Sequence, residues 1–268
     1  MNQKFKKTSE FIKDLQKKGR YTFSLEECLE NVPKQPVAVK RDLDRLKKNE
    51  EILSIWKGFY LIVTLEYATR GIMPAILFID SLMKHLDKDY YVGLLSAAAQ
   101  HGASHQQPQE FFVIIKKPPI RPLQKKGLRI NFIVKNNWPL KGIETQKTST
   151  GFVQVSSPEL TALDLTIYVK RIGGFNRLAV ILNELTDEMD VKRLLNVISG
   201  KQQITSLQRL GYILDRILEK HELSEAFYEY MKKQKAVYIS LQAGKEFDQA
   251  KRDSKWKIIP NVEIDLSP

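Results

Sequence analysis

The first 63 residues alternate between apolar and polar positions in a pattern that predicts helices followed by a hairpin. Two stretches, residues 9–18 and 37–49, carry apolar residues at helical spacing. These residues are Phe11, Ile12 and Leu15 in the first stretch and Val39, Leu43 and Leu46 in the second. Runs of β-branched and aromatic residues follow at 52–55 and 59–63, and Gly58 between them supplies the positive φ of a tight turn.

A further helix lies between these stretches and is marked by residues that begin and end helices. Ser24 can accept a hydrogen bond from the backbone amide of Glu27, whose carboxylate can in turn accept one from the Ser24 amide. Pro33 ends this helix, and Pro36 opens the next. Three helices and a hairpin in this order predict a winged helix-turn-helix domain over residues 1–66.

The side of the 37–49 helix that faces away from its apolar residues is the predicted DNA-recognition surface. Lysine and arginine side chains can bond phosphates or guanine edges there, and Arg41 is best suited to bidentate contact with a base. Asp44 lies four residues from both Lys40 and Lys48 and is expected to hold their side chains in place. The predicted DNA-binding residues are Gln35, Val37, Lys40, Arg41, Arg45, Lys48 and, at the tip of the wing, Lys57.

Three apolar or aromatic residues of this region are expected to act through packing. Val37 either touches a thymine methyl group or packs against the preceding helix. Trp56 and Tyr60 are expected to brace the hairpin against the helices, because duplex DNA offers no unstacked bases to them.

Residues 72–243 predict a second, larger domain of mixed structure. Pro74 opens an apolar helix that continues to Leu86, and another helix is predicted over 91–101. The predicted strands are 111–115, 128–134, 151–155 and 237–241, and the later helices are 158–167, 175–185, 191–198, 205–218 and 224–233. Residues 244–268 form an extension with no assigned structure. The predicted fold class is therefore α+β, an N-terminal winged helix-turn-helix domain followed by a larger mixed domain with a small β-sheet and several helices.

Charge and composition indicate the kind of partner. The net charge of +12 and pI near 9.5 favour a polyanion, although RNA-binding and membrane-surface proteins share this bias. Residues 1–63 hold 14 Lys/Arg against 9 Asp/Glu, a net +5, so this quarter is the denser in positive charge. The single Cys28 excludes an intramolecular disulfide, and no apolar run approaches membrane-spanning length. A cytoplasmic protein with no membrane partner is expected.

Candidate catalytic and metal-binding residues are sparse. His101 and His105 have the i, i+4 spacing of a helical metal pair, but Gly102 interrupts it, and Ser96 with Asp164 suggests a triad only by residue type. Structural hydrogen bonding is the expected role of these side chains. The chain also lacks a Walker glycine loop, an HExxH pair and kinase signatures, so the prediction is a protein that is not an enzyme and needs no metal or cofactor.

Four segments of the larger domain carry recognisable motifs. They are YYVGLLSAAAQHGASHQQPQEFF at 90–112, LRINFIV at 128–134, TGFVQVSSPELTALDL at 150–165 and IGGFNRLAVILNEL at 172–185. In residues, order and spacing they resemble AbiEi-type antitoxins of type IV toxin–antitoxin systems, a family that also begins with a winged helix. Asn131 departs from the acidic residue expected in many relatives.

The resemblance implies a bacterial protein with two functions and no enzymatic chemistry. Its winged helix would bind repeats in the promoter and repress it, and its larger domain would counteract a nucleotidyltransferase toxin of the AbiEii type, with or without a lasting complex. A basic nucleotidyltransferase cleft would be met better by acidic residues than by Lys170 or Arg171. The residues that the resemblance assigns to antitoxin function are Tyr90, Tyr91, Ser96, His101, His105, Gln107, Lys170 and Arg171.

Two other functions fit the same sequence. One is a winged-helix transcription factor whose larger domain senses a ligand or forms oligomers, with no toxin partner. The other is a nuclease or related DNA-acting enzyme in which Glu110, Asn131 or Glu159 would serve a metal site. The operator and the oligomeric state are left open.

Overall fold

The chain folds into an N-terminal winged helix-turn-helix followed by a larger α+β domain, as the sequence predicted. The structure is a computed structural model. It describes residues 5–68, 72–103, 110–199, 203–246, 248 and 251–266.

The winged helix combines three helices with a three-stranded antiparallel sheet of order β1-β3-β2. In chain order its elements are α1 (Thr8–Lys17), β1 (Thr22–Ser24), α2 (Leu25–Asn31), α3 (Pro36–Lys48), β2 (Ile52–Trp56) and β3 (Phe59–Ile62). Both hairpin strands were predicted, and β1 was not. The turn contains Gly58 at a φ of +72°, as expected.

Helix α2 begins where it was predicted to begin, but only one of the two predicted capping hydrogen bonds forms. Ser24 Oγ accepts from the Glu27 amide at 3.0 Å. The Glu27 carboxylate does not bond Ser24, because it forms a bidentate ion pair with the Arg20 guanidinium, with N to O distances of 2.6 and 2.9 Å. The helix is therefore capped by Ser24 alone, and Glu27 ties it to the segment before β1.

The larger domain is built on a six-stranded mixed sheet of order β6-β7-β5-β4-β9-β8. Its strands are β4 (Tyr90–Val92), β5 (Phe111–Ile115), β6 (Leu123–Lys125), β7 (Leu128–Val134), β8 (Ile143–Thr148) and β9 (Gly151–Ser156). The sequence predicted β5, β7 and β9 and missed the other three. The helix predicted over 91–101 is wrong at its start, because Tyr91 lies in β4, which pairs with β5 and β9.

Eight helices follow the winged helix in the described part of the chain. They are α4 (Leu65–Ala68), α5 (Ile79–His85), α6 (Leu94–Gln100), α7 (Pro158–Ile167), α8 (Phe175–Leu185), α9 (Val191–Ile198), α10 (Ile204–Tyr212) and α11 (His221–Met231). A π-helical turn extends α10 through Ile213–Ile217, and β10 (Ile239–Ser240) pairs with β11 (Ile258–Ile259). Residues Pro158 to Thr166 of α7 are all buried, so this helix forms the centre of the domain.

One apolar cluster joins the winged helix to the larger domain. It contains Ile55 and Phe59 of the hairpin together with Phe78, Leu82 and Met83, and it continues into the six-stranded sheet. One face of the wing is therefore covered by the larger domain, which fixes the relative position of the two parts.

The C-terminal stretch contributes to the core, although the sequence assigned it no structure. The Trp256 side chain is 1% exposed, packs against Phe227 and donates its indole N–H to Asp215 Oδ2 at 2.8 Å. Gln208 Nε2 donates to the Trp256 carbonyl oxygen at 3.0 Å. The domain boundaries at residues 66, 72 and 243 remain predictions.

Gly211→Ala is expected to destabilise the protein, because Gly211 lies directly against the buried Trp256 ring. A Cβ at Gly211 would lie 2.0 Å from Cζ3 of Trp256, far inside van der Waals contact. We expect a loss of about 3 kcal/mol in the free energy of unfolding, because overpacking outweighs the helix propensity of alanine. Urea denaturation measures this loss. Trp256→Leu should cost less in the Gly211→Ala background than alone, and equal costs would show that the two residues do not clash.

Candidate functional site

Helix α3 turns one side to the core and presents the other to solvent. Val39, Leu43 and Leu46 are buried at 4% exposure or less, as their spacing predicted. Val37 is 61% exposed, so it does not pack against the preceding helix. The predicted recognition residues Gln35, Lys40, Arg41, Arg45 and Lys48 are likewise exposed.

Three cations on the exposed side of α3 are free for a partner. Asp44 forms an ion pair with Lys47 at 2.6 Å, so the expectation that it holds Lys40 and Lys48 is wrong. Lys47, three residues along the helix, reaches the carboxylate first. Among the described residues, no carboxylate lies within ion-pairing distance of Lys40, Arg41 or Lys48. The donors of these side chains are therefore available to an anion.

Asp42, the other carboxylate of α3, ties the helix to its surroundings. It accepts from Lys34 Nζ at 2.8 Å and from Thr8 Oγ1 at 3.0 Å. The hydrogen bond from Lys34 is the main reason that the pKa of Asp42 lies below its usual value. Asp42 thus fixes the start of α1 and the turn before α3 to the recognition helix.

The wing is held by the larger domain near its tip. The Lys57 side chain is exposed, but its carbonyl oxygen lies 3.0 Å from Nε2 of His85 on α5. Trp56 packs edge-on against Phe132 of β7, with ring centroids 6.4 Å apart, and Tyr60 stacks on Phe23 at 5.2 Å. Tyr60 contacts Phe23 of β1 and belongs to the apolar cluster that contains the buried residues of α1 and α3, so it packs on the helix side of the hairpin as predicted. Trp56 packs against the larger domain, so the expectation that it braces the hairpin against the helices is wrong.

A buried polar centre lies where α7 crosses the sheet. Asp164, with no exposed surface, accepts hydrogen bonds from the Tyr91 hydroxyl at 2.7 Å and from Lys135 Nζ. Burial, followed by the nearby Asp164 charge, raises the pKa of Tyr91 well above its usual value. No local pattern predicts the burial of Lys135, which follows the apolar run of β7 and pairs with a carboxylate 29 residues later in the chain.

The side chains that suggested a triad do not meet. The Ser96 hydroxyl accepts from the Phe112 amide at 2.9 Å, and His101 Nε2 donates to the Ser156 carbonyl oxygen at 2.7 Å. Asp164 instead accepts hydrogen bonds from Tyr91 and Lys135. Each candidate therefore bonds a different structural partner.

The residues that the resemblance assigned to antitoxin function fall into two groups. Tyr90, Tyr91 and Ser96 are buried, and the Tyr90 hydroxyl donates to Asp80 Oδ1 at 2.9 Å. His101, Lys170 and Arg171 are accessible. His105 and Gln107 lie outside the described residues.

Lys170 and Arg171 border a cavity of about 340 Å³ between the end of α7, the start of α8 and α10. Arg209 of α10 lines the same cavity, and the sequence did not single it out. An arginine within an amphipathic helix is normally predicted to face solvent. Only the fold shows that Arg209 lines the same cavity as Lys170 and Arg171.

The residues of the nuclease interpretation are divided between two places. Asn131 Nδ2 donates to Glu110 Oε2 at 2.6 Å, and Arg129 pairs with Glu110 at 2.8 Å. Buried Glu159 instead accepts from the Asp190 amide at 2.9 Å and from Arg193 Nε at 3.1 Å. Within the part of the chain that the structure describes, no group of three or more His, Cys, Asp or Glu side chains is placed to hold a metal ion.

None of the described helices combines the length and apolar character needed to cross a membrane.

The chain resembles known proteins in its fold and in the sequence of its larger domain. A crystal structure of the RV2827C protein from Mycobacterium tuberculosis shares the fold at a TM-score of 0.66 and 13% identity, covering 95% of this chain and 91% of that one. A nucleotidyltransferase-like protein from Paracoccidioides brasiliensis aligns at a TM-score of 0.35 and 13% identity, over 57% of this chain and 90% of that one. No curated protein matches. Residues 91–216 match the AbiEi antitoxin C-terminal domain, the family that the sequence motifs predicted.

Proposed function

We propose that this protein is the antitoxin of a type IV toxin–antitoxin system and represses its own promoter. The larger domain counteracts a nucleotidyltransferase toxin of the AbiEii type, and the winged helix binds promoter repeats. The observation that carries this proposal is the AbiEi antitoxin domain over residues 91–216. No catalytic step by this chain is required.

The surface of α3 supports the DNA-binding half of the proposal. Lys40, Arg41 and Lys48 are exposed and lack a carboxylate partner among the described residues, so phosphates or guanine edges can take up their donors. Gln35, Val37 and Arg45 border this surface, and Lys57 extends from the wing. We propose that α3 enters the major groove and that Lys57 contacts the backbone beside it.

The division between buried and exposed residues supports separate roles within the antitoxin domain. Tyr91 is completely buried and maintains the centre of the domain through Asp164. His101, Lys170 and Arg171 are accessible to another molecule. We propose that these accessible residues act in neutralisation and that the buried ones position the scaffold.

Co-expression with the adjacent nucleotidyltransferase tests the antitoxin role. Both genes are placed under independent inducible promoters, so that autorepression does not affect the levels of either protein. We expect the full chain to restore growth of cells that produce the toxin, and the Lys40→Ala/Arg41→Ala variant to restore it equally. The polar centre and the cavity are distant in sequence from α3, and neither residue contacts them.

Colony counts on inducing medium measure this rescue, and immunoblotting confirms that each variant accumulates. A chain that accumulates without restoring growth contradicts the antitoxin role. Rescue by the wild-type chain but not by Lys40→Ala/Arg41→Ala would contradict the proposed separation of the two functions.

A further inference from the structure

The cavity beside α10 is lined by cationic side chains and by apolar side chains. Lys170, Arg171 and Arg209 contribute three cations, and no carboxylate is among the described residues that line it. Phe175 and Leu241 contribute apolar surface on other elements. A volume of about 340 Å³ lies at the small end of the range for small-molecule sites.

Arg209 is the strongest indication that an anion belongs in this cavity. Its Nε donates to the Leu241 carbonyl oxygen at 2.8 Å, and its Nη2 donates to the Ser240 carbonyl oxygen at 3.2 Å. Burial lowers the pKa of this guanidinium. Within the described residues no carboxylate pairs with Arg209. A half-buried cation held only by neutral oxygens is costly, and an anion in the cavity would compensate it.

The neighbouring cations are placed to share that anion. Lys170 and Arg171 belong to the short 3-10 turn Val169–Arg171 and are exposed at the mouth of the cavity. Neither side chain forms an ion pair with any described residue. Guanidinium and ammonium groups that line one cavity without a carboxylate suit a phosphate, because phosphate oxygens accept several charge-assisted hydrogen bonds at once.

The apolar wall identifies the rest of the ligand. Phe175 and Leu241 lie at 7% and 1% exposure and form the floor of the cavity, and the partly buried side chains of Ile167 and Tyr168 add accessible apolar surface. A free phosphate would leave this wall uncovered, whereas a planar base would pack against it. The cavity is too small for a folded polynucleotide but has the size of a mononucleotide.

We propose that this cavity binds a nucleoside phosphate, with its phosphates on Lys170, Arg171 and Arg209 and its base against the apolar wall of Ile167, Tyr168 and Phe175. This binding is an additional property of two residues, Lys170 and Arg171, that are proposed above to act in neutralisation, and its test needs no toxin. It gives Lys170 and Arg171 an anionic partner, which suits their charge better than the basic cleft of a nucleotidyltransferase.

Isothermal titration calorimetry on the purified full chain tests the proposal. The probes are CTP and GTP, with cytidine and inorganic pyrophosphate as separate arms, all without added metal ions. We expect saturable binding of at least one triphosphate with a Kd below about 1 mM, and no binding of cytidine. Arg171→Glu should weaken triphosphate binding at least about tenfold, because it replaces a charge-assisted donor with a repulsive charge.

Lys147→Glu is the matched control, since it makes the same change of charge at an exposed position of β8 that does not line the cavity. Its triphosphate affinity should equal that of the wild type. Absence of saturable triphosphate binding overturns the site, as does unchanged binding by Arg171→Glu. Equal affinity for pyrophosphate and triphosphate overturns the nucleotide assignment, because the base would then contribute nothing.

Discussion

Lys40→Ala/Arg41→Ala is expected to weaken binding to the promoter fragment by about 2–4 kcal/mol, roughly 30- to 1,000-fold in Kd. Both side chains are exposed on α3, and neither has an ion-pair partner among the described residues. Their removal leaves the core of the winged helix intact, because Val39, Leu43 and Leu46 hold α3 from its other side. The loss is therefore a loss of DNA contacts and not of folding.

The measurement is a titration of labelled upstream DNA that contains the repeats, carried out at several salt concentrations. If one of the two residues contacts a phosphate, the slope of log K against log salt falls by about one unit. If Arg41 reads a base, the loss is larger on the promoter fragment than on unrelated DNA of the same length.

Lys13→Ala/Lys17→Ala provides the matched control for this experiment. It removes two exposed cations from α1, so the net charge of the winged helix changes by the same amount. Its promoter affinity should stay within a few-fold of the wild type. Comparable losses in the two double variants would show that α3 is not the recognition helix and that only overall charge matters.

The winged helix was largely predictable because its signals are local. Ser24 and Pro36 mark helix starts by their own backbone chemistry, and Gly58 marks the turn by its φ. The core side of α3 follows from the spacing of apolar residues along one helix. The predicted partner of Asp44 was wrong because spacing alone does not decide which of several nearby lysines reaches a carboxylate.

The missed strands of the larger domain depend on contacts between distant segments. Strand β4 has only three residues, and the alanine-rich stretch after it favours a helix, so pairing with β5 and β9 decides its conformation. Strand β8 is polar and lies at the edge of the sheet, so its sequence lacks the alternation of apolar and polar residues that predicts a strand. Strand β5, in contrast, is an unbroken apolar run with both bounds predicted.

The candidate sites divide in the same way. The exposed residues of α3 follow from one helical period, whereas Lys135, Arg209 and Trp256 acquire their surroundings only through the fold. Each lies in a segment whose pattern of apolar and polar residues does not predict its contacts. Its partners lie tens of residues away, so sequence spacing contains no information about the contact.

Lys135→Met is expected to lower the free energy of unfolding by about 3–5 kcal/mol, since it leaves a buried carboxylate without its cation. Lys135 is 5% exposed, and Asp164 has no exposed surface, so water cannot replace the lost partner. The Tyr91 hydroxyl still donates to Asp164, but a single neutral donor does not compensate a full charge. Urea denaturation at neutral pH measures the change.

Lys18→Met is the control, because Lys18 pairs with Asp14 at the surface and is 61% exposed. Its cost should stay below about 1 kcal/mol, as is usual for solvated pairs. The variant Tyr91→Phe/Lys135→Met/Asp164→Leu removes all three polar groups together and should recover most of the stability lost in Lys135→Met, since no charge or hydroxyl then remains unpaired. A triple variant no more stable than Lys135→Met would mean that the polar centre itself, and not the orphaned charge, holds α7 against the sheet.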